Sequence, residues 1–239
     1  MLKLNYTPNS DHFIQIKKWL FEQEKDNKDG FHNHWNMILI ALNTKNTIII
    51  TDNDYPIGFI VYHISDFVAK VSVTVIKESE RKKGVAKILI NESLDFFKLK
   101  GALVTELYCS PEESELFWKK MGFINIPSNT FRPPLSMYKT LIDSLSYSNE
   151  IEGEYVIKLW FFEPHETKGR NPDRIWNLNL GKDERILNTP IIYPVSKDWK
   201  IEFIRGGVDD FSGKIKYFNT DSSNYSDYLL IKELNEIVT

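Results

Sequence analysis

Several features are scarce in this sequence of 239 residues. It has one cysteine, Cys109, so neither a disulfide within the chain nor a zinc site built on cysteines is possible. No apolar run approaches the ~20 residues that cross a membrane, and the N-terminus lacks a signal-peptide pattern. We therefore expect a cytoplasmic protein with no membrane contact, since a chain with so little cysteine fits a reducing compartment.

An excess of positive charge is also missing. Lys and Arg total 30 against 33 Asp and Glu, which gives a net charge of −3. Proteins that bind nucleic acid usually carry a basic excess, so a nucleic-acid partner is disfavoured. His32 and His34 stand close together, but no carboxylate or cysteine lies at ligand spacing beside them. The sequence therefore predicts no metal site.

The composition predicts a folded chain with two parts. Hydrophobic residues make up 42% and charged residues 26%, which is enough for a packed core. Residues 143–153 are rich in Ser, Asn and Glu and poor in apolar side chains, as linkers are. We predict a domain at 1–142, a linker at 143–153, and a smaller β-rich domain at 154–239 whose role the sequence leaves open.

Strand and helix patterns alternate through the first predicted domain. Val71, Val73 and Val75 alternate within one strand, which predicts that they share a face. Ser110 is the expected N-cap of a late helix, with Pro111 at its first position. The predicted elements are a strand at 2–6, two helices before residue 43, strands at 47–51, 57–65 and 68–76, a helix at 85–100, a strand at 103–109, a helix at 110–121 and a strand within 131–141.

The second predicted domain has strand patterns without helix patterns. Its aromatic residues are interpreted as a small β core rather than a ligand surface. The predicted strands are 154–163, 191–195, 199–205, 213–218 and 228–232.

One loop has the features of an anion-binding site. Arg81-Lys82-Lys83-Gly84-Val85-Ala86 stands between a strand and an amphipathic helix. The first N–H groups of a helix lack internal partners, and the helix dipole favours an anion there. Gly84 lets the backbone approach a ligand, Ala86 is small, and three cationic side chains precede the glycine. The loop fits the pyrophosphate of a nucleotide; the alternative is a solvated basic turn that starts a helix.

The context of this loop resembles the GNAT family of N-acetyltransferases. Residues 73–86 are similar to that family's strand, pyrophosphate loop and helix start. Residues 116–123 resemble its second signature, an aromatic pair followed by Lys and then Gly-Phe. The resemblance covers about residues 1–142, is strongest in 55–125, and agrees with the order of predicted elements.

The resemblance implies a fold and a co-substrate. The fold is of the α/β (α+β) class, a mixed and largely antiparallel sheet flanked by helices, in which two neighbouring parallel strands splay apart. The pantetheine arm of acetyl-CoA would lie in that gap, beside backbone groups near Thr74 and Ile76, and loop 81–86 would hold the pyrophosphate. The expected acceptor is a primary amine on a small molecule or peptide, attacking the thioester directly without a metal.

The acceptor amine must be neutral to attack, although a free alkyl amine is mostly protonated at pH 7. A base or a water chain is therefore needed. We take Glu106 as the first candidate base, with His63 and Glu78 behind it. Glu106 has a plainer reading as a solvent-facing strand residue, because alternation does not show which face of a strand is buried.

The acid that would protonate the leaving thiolate is less evident. Many family members have a Tyr where this chain has Trp118, and an indole N–H is not a useful acid. Many also have an Asn where this chain has Ser110. Tyr108 is the first substitute, with Cys109 and Tyr138 as alternatives, or the thiolate leaves unassisted. Cys109 has a further reading as a core thiol.

These departures keep a second function open. The chain could bind acyl-CoA as a sensor or scaffold with little turnover. The C-terminal region could shape the acceptor site, bind a partner, or mediate self-association as a homo-oligomer.

Overall fold

The computed structural model describes residues 1–26, 34–180, 186–218 and 227–234. The chain forms two compact units, Met1–Ile124 with Leu135–Leu141, and Asn125–Pro134 with Ile142–Thr239. Residues 143–153, the predicted linker, group with the second unit. The Leu145 N–H donates to the Pro190 carbonyl at 2.8 Å, and the Ser148 N–H donates to the Ile175 carbonyl at 2.7 Å.

The first unit is built on a seven-stranded sheet. Its strands are β1 (Leu2–Asn5), β2 (Thr47–Asp52), β3 (Tyr55–Ser65), β4 (Val68–Ile76), β5 (Val104–Tyr108), β6 (Ile124–Asn125) and β7 (Ser136–Thr140). They lie in the order β1-β2-β3-β4-β5-β7-β6. The pair β4–β5 is parallel, whereas β1–β2, β2–β3, β3–β4 and β5–β7 are antiparallel. The predicted mixed, largely antiparallel sheet is confirmed.

Helices cover both faces of this sheet. They are α1 (Ser10–Asp26), α2 (Trp35–Asn43), α3 (Val85–Leu99) and α4 (Glu115–Lys120). On one face, Trp19 of α1 and Ile38 of α2 pack in a buried cluster with Phe59 of β3. On the other face, Leu89 and Phe97 of α3 are fully buried, because apolar residues at helical spacing form one stripe along that helix.

Strand β4 contains a bulge at Ser72. Tyr62 of β3 pairs with Val71, but the preceding Val61 pairs with Val73, so Ser72 is an extra residue. The bulge reverses the faces that follow it. Val71 packs with the α3 side, whereas Val73 and Val75 lie in the cluster beneath α1 and α2. The prediction that these three valines share a face is therefore wrong.

One predicted helix start in the first unit is also wrong. Ser110 does not cap a helix, because Pro111 is still extended; a 3₁₀ turn at Glu112–Ser114 follows, and α4 begins at Glu115. The last strand lies within the predicted range 131–141 and covers Ser136–Thr140. Its start is delayed because Pro133 and Pro134 have no N–H to donate to a sheet.

The second unit is β-rich, as predicted. Its strands are β8 (Tyr155–Trp160), β9 (Arg174–Asn177), β10 (Ile186–Pro194), β11 (Lys200–Arg205), β12 (Val208–Lys214) and β13 (Tyr228–Glu233). They form a four-stranded sheet, β12-β11-β8-β9, and a two-stranded sheet, β10-β13. Fully buried side chains from both sheets, such as Phe203 and Leu229, share one cluster. The prediction of a strand at 213–218 is wrong, since Ile215–Tyr217 is a 3₁₀ turn. Strand β9 was not predicted.

Candidate active site

A cleft opens where β4 and β5 stop pairing. Their parallel register runs from Val68↔Val104 to Val71↔Leu107 and ends there. Beyond that point β4 stays with β3 as far as Ile76, whereas β5 stays with β7. The two parallel strands therefore splay apart, as the resemblance implied.

The cleft has a volume of about 510 Å³. One wall is β4, and the other is the end of β5 with the turn that follows it. The start of α3, the end of α1 and part of α4 close the remaining sides. The lining residues are Leu20, Gln23, Val71, Ser72, Val73, Thr74, Val75, Ile76, Arg81, Ala86, Leu107, Tyr108, Ser110, Pro111, Ser114, Phe117 and Trp118.

Loop 81–86 reaches the cleft at the N-terminus of α3. Gly84 is the N-cap residue with φ +84°, a left-handed conformation that glycine adopts at little cost. A Cβ built at Gly84 would meet no atom within 4 Å, so the backbone there is open to a ligand. The Arg81 Nε donates to the Ile76 carbonyl at 3.2 Å, which anchors the guanidinium group beside the end of β4.

The predicted cofactor residues lie in three settings. Thr74, Ile76, Arg81 and Ala86 line the cleft. Lys82, Lys83 and Gly84 are exposed on the loop, and the Lys83 Nζ lies 3.1 Å from a Glu80 carboxylate oxygen. The Val85 side chain is buried in the core beneath α3, so this residue can offer a ligand its backbone N–H.

The candidate acid and base occupy one face of β5, because residues two apart on a strand point the same way. Tyr108 is 55% exposed and lines the cleft. The Glu106 side chain is 12% exposed, lies 3.9 Å from the Lys70 Nζ, and is not among the lining residues. The sheet register places Glu106 opposite Tyr138 of β7.

The other candidates lie elsewhere. His63 and Glu78 are exposed and do not line the cleft. Cys109 is buried, and its Sγ lies 3.2 Å from the Ser114 Oγ, as the core-thiol reading expects. Trp118 lines the cleft but makes edge contacts with Phe117 and Phe123.

Sequence reasoning missed the contribution of α1. Leu20 and Gln23 line the cleft, and the Gln23 Oε1 accepts a hydrogen bond from the Glu78 N–H at 3.4 Å. The contact joins α1 to the turn that follows β4. The two residues are 55 positions apart in the chain, and no local pattern reports such a pairing.

In the described ranges, no group of three or more His, Cys, Asp and Glu side chains is placed to hold a metal ion. His34 is exposed, and His32 lies outside the described residues. The helices that the structure describes are all too short or too polar to cross a bilayer.

Comparison with known proteins bears on the same region. Residues 12–123 match the model of the Acetyltransferase (GNAT) family. This part of the chain is similar to the GNAT acetyltransferases, and the match does not extend into the β-rich region after it. No curated protein sequence matches the chain.

Solved structures of GNAT proteins are similar to the chain at low identity. A GNAT-family acetyltransferase from Staphylococcus aureus Mu50 is 11% identical with a TM-score of 0.49, over 59% of this chain and 100% of that one. The PaiA N-acetyltransferase of Thermoplasma acidophilum, in complex with coenzyme A, is 18% identical with a TM-score of 0.43, over 59% and 99%. An aminoglycoside 6′-N-acetyltransferase complexed with coenzyme A is 16% identical with a TM-score of 0.46, over 59% and 97%.

Proposed function

We propose that this protein transfers an acetyl group from acetyl-CoA to a primary amine on a small molecule or peptide. The observation that carries the proposal is the cleft between β4 and β5, with the N-terminus of α3 at its edge. An extended ligand can enter such a gap while its phosphates meet the free N–H groups of the helix. We also propose a cytoplasmic location, with which the free thiol of Cys109 is compatible.

The proposal gives the lining residues distinct tasks. The N–H groups of Val85 and Ala86, with the Arg81 guanidinium, would hold the pyrophosphate. Backbone groups of β4 at Thr74 and Ile76 would hold the pantetheine arm. The open space at Gly84 supports this fit. Acetyl-CoA supplies an acetyl group that is already activated as a thioester.

Two residues of β5 are proposed to move protons. Glu106 would accept the proton of the acceptor amine through a water, since it adjoins the lining residue Leu107 on β5 but is not itself in the lining. Tyr108 would hold a proton on its phenol oxygen and give it to the departing sulfur. Their support is their shared face on the strand that edges the cleft.

Calorimetry with acetyl-CoA, followed by a thiol-release assay over amines, polyamines, aminoglycosides, amino acids and peptides, tests the proposal. We expect saturable binding and thiol release with at least one acceptor class. Glu106→Gln and Tyr108→Phe should each lower kcat by roughly 100-fold while the Kd for CoA stays within about twofold. Equal losses in kcat and in CoA affinity would contradict the proton-transfer roles, and no heat with wild-type protein would contradict the function.

A second candidate is an acyl-CoA-binding sensor or scaffold. It is favoured by Trp118 and Ser110, which stand in the cleft where many family members have a Tyr and an Asn. This function predicts that acetyl-CoA binds but that no acceptor in the panel releases CoA above the hydrolytic background.

A further inference from the structure

The cleft between β4 and β5 opens onto both faces of the sheet. Its lining includes Leu20 and Val75, which belong to the buried cluster beneath α1 and α2. The lining also includes Leu107 and Trp118, which belong to the cluster on the α3 side. The two strands separate, so the gap between them passes through the sheet. The cleft therefore has one opening toward α3 and another toward α1.

The proposed function assigns these two openings to two substrates. Loop 81–86 and the start of α3 lie at one opening, where the proposed pyrophosphate would bind. The nucleotide end of acetyl-CoA would fill that side of the cleft. The acceptor amine then reaches the thioester from the opening that α1 borders.

Helix α1 brings a polar side chain to the acceptor opening. Leu20 and Gln23 are three residues apart on α1, so they share a face of the helix, and both line the cleft. Leu20 is apolar and buried, whereas Gln23 is only partly buried. Of these two residues, Gln23 is the one that can form a hydrogen bond with a ligand.

An existing hydrogen bond decides which end of the Gln23 amide is left for that ligand. The Gln23 Oε1 accepts from the Glu78 N–H at 3.4 Å, and a backbone N–H can only donate, so the contact selects the oxygen. Within the described part of the chain, the Gln23 Nε2 forms no hydrogen bond. An amide nitrogen carries two donors and no acceptor. Gln23 therefore offers N–H groups, which match an oxygen on the acceptor.

The lining of the cleft is also poor in charge. Among the residues that the structure describes, Arg81 is the lining residue with a charged side chain, and none of the others is Asp or Glu. A second cationic group on the acceptor would lose water without gaining a counter-ion. The lining therefore favours an acceptor whose polar group beside the amine is neutral.

We propose that Gln23 is a specificity-determining residue for the acceptor, and that it selects amines with a neutral oxygen, a carbonyl or a hydroxyl, within reach of its side-chain N–H groups. The inference rests on the proposed function and narrows the acceptor from any primary amine to this class. Amino-acid amides and amino alcohols belong to the class, whereas alkyl amines and polyamines do not.

Thiol release with four small amines tests the inference. Glycinamide carries a carbonyl, ethanolamine a hydroxyl, ethylamine neither group, and putrescine a second cation. These amines differ in basicity, so kcat/KM for each amine is compared between variant and wild type. Gln23→Met keeps the length of the side chain and removes both ends of the amide. We expect kcat/KM to fall roughly five- to tenfold with glycinamide, ethanolamine or both, and to stay within about twofold with ethylamine.

Gln23→Glu is the second variant, since it keeps an oxygen for the Glu78 N–H and replaces the donors with a negative charge. It should raise kcat/KM for putrescine roughly two- to fivefold and lower it for the two amines that carry an oxygen. Asn91→Asp is the matched control, because it adds the same charge at an exposed position of α3 outside the lining. It should leave kcat/KM for all four amines unchanged.

Calorimetry with CoA shows which substrate Gln23 contacts. The Kd of Gln23→Met for CoA should stay within about twofold of wild type. The inference is overturned if Gln23→Met weakens CoA binding instead, if it lowers kcat/KM alike with every amine, or if wild type uses only ethylamine or putrescine. Where only a larger amine of the earlier panel reacts, an unchanged kcat/KM in Gln23→Met overturns it.

The proposed function fails separately from this inference. Equal use of all four amines by wild type and Gln23→Met would leave the proposed acetyl transfer standing and overturn the role of Gln23. Absence of thiol release with every amine would overturn the proposed transfer, and the role of Gln23 with it.

Discussion

At the scale of single residues, Gly84 has a backbone conformation that favours glycine, and it also leaves space for a ligand at the start of α3. Its φ of +84° lies in the left-handed region, and no atom would touch a Cβ there. Gly84→Ala should lower the free energy of unfolding by about 1 kcal/mol through backbone strain. It should also weaken acetyl-CoA binding, because the new methyl group stands where the proposed pyrophosphate would approach. Denaturant unfolding and calorimetry measure the two effects.

Gly101 supplies the control for this substitution. It follows the C-terminus of the same helix at φ +89°, and a Cβ there would also meet no atom. Gly101→Ala should lose similar stability while the Kd for acetyl-CoA stays unchanged. If both variants weaken binding alike, strain in α3 rather than access to Gly84 controls the ligand.

At the scale of elements, regular periodicity made much of the fold predictable. The strands β2 to β5 and helix α3 follow their sequence patterns closely. The Ser72 bulge was missed because one extra residue leaves a β-branched strand looking continuous. The hairpin between β11 and β12 has a sequence signal in Gly206-Gly207, because both glycines have positive φ and join Arg205 to Val208.

The candidate site also has a part that the sequence predicts and a part that it does not. Loop 81–86 could be predicted because the residues that open a helix to an anion are consecutive in the chain. The lining residues Gln23 and Ser114 come from separate elements, and only tertiary packing brings them to β4. The roles of Glu106 as base and Tyr108 as acid stay predictions. Strand alternation places both side chains on one face of β5 but does not show which of them reaches the substrate.

The hydrogen bonds of Lys214 and Lys216 to Asp198, in the turn before β11, predict that stability depends on pH. Hydrogen bonds from Lys216 at 2.7 Å and from Lys214 at 3.1 Å lower the pKa of the Asp198 carboxyl below its usual value. A carboxylate with a lowered pKa stabilises the fold above its unfolded pKa of about 3.9. This contribution is lost as the pH falls through the folded pKa.

Asp198→Asn removes that contribution. The variant should be less stable than wild type at pH 6, and the difference should shrink toward pH 3 and in high salt, because these side chains are partly exposed. Urea unfolding at both pH values and two salt concentrations measures the change. A difference that is the same at every pH would show that the carboxylate charge is not its source.

At the scale of the whole molecule, the chain passes between its two units three times, after Ile124, Pro134 and Leu141. The segment Asn125–Pro134 is held within the second unit by Arg132, whose side chain is 8% exposed. Its Nη2 donates to the Asp227 carbonyl at 2.8 Å, and its guanidinium lies 5.0 Å from the Tyr228 ring centre. The second unit therefore depends on residues that lie between two strands of the first.

Arg132→Ala should release this segment. We expect the free energy of unfolding to fall by about 1–3 kcal/mol. We also expect faster chymotrypsin cleavage at Phe131, which is 94% exposed.

Arg170→Ala is the comparison, since Arg170 lies 4.2 Å from the Phe162 ring centre outside the segment. It should leave cleavage at Phe131 unchanged. Equal acceleration by both substitutions would mean that the second unit loosens as a whole.

The extra residue in β4 has a consequence for how this gene can vary. Substitutions along the strand change one side chain each, and deleting Ser72 would leave Val71 and Val73 adjacent, on the opposite faces that they occupy now. The pairs of β4 with β3 on both sides of the bulge could then continue as one regular ladder. A one-residue deletion at Ser72 should therefore be tolerated better than one in the regular part of β3, where it would exchange the faces of the residues that follow.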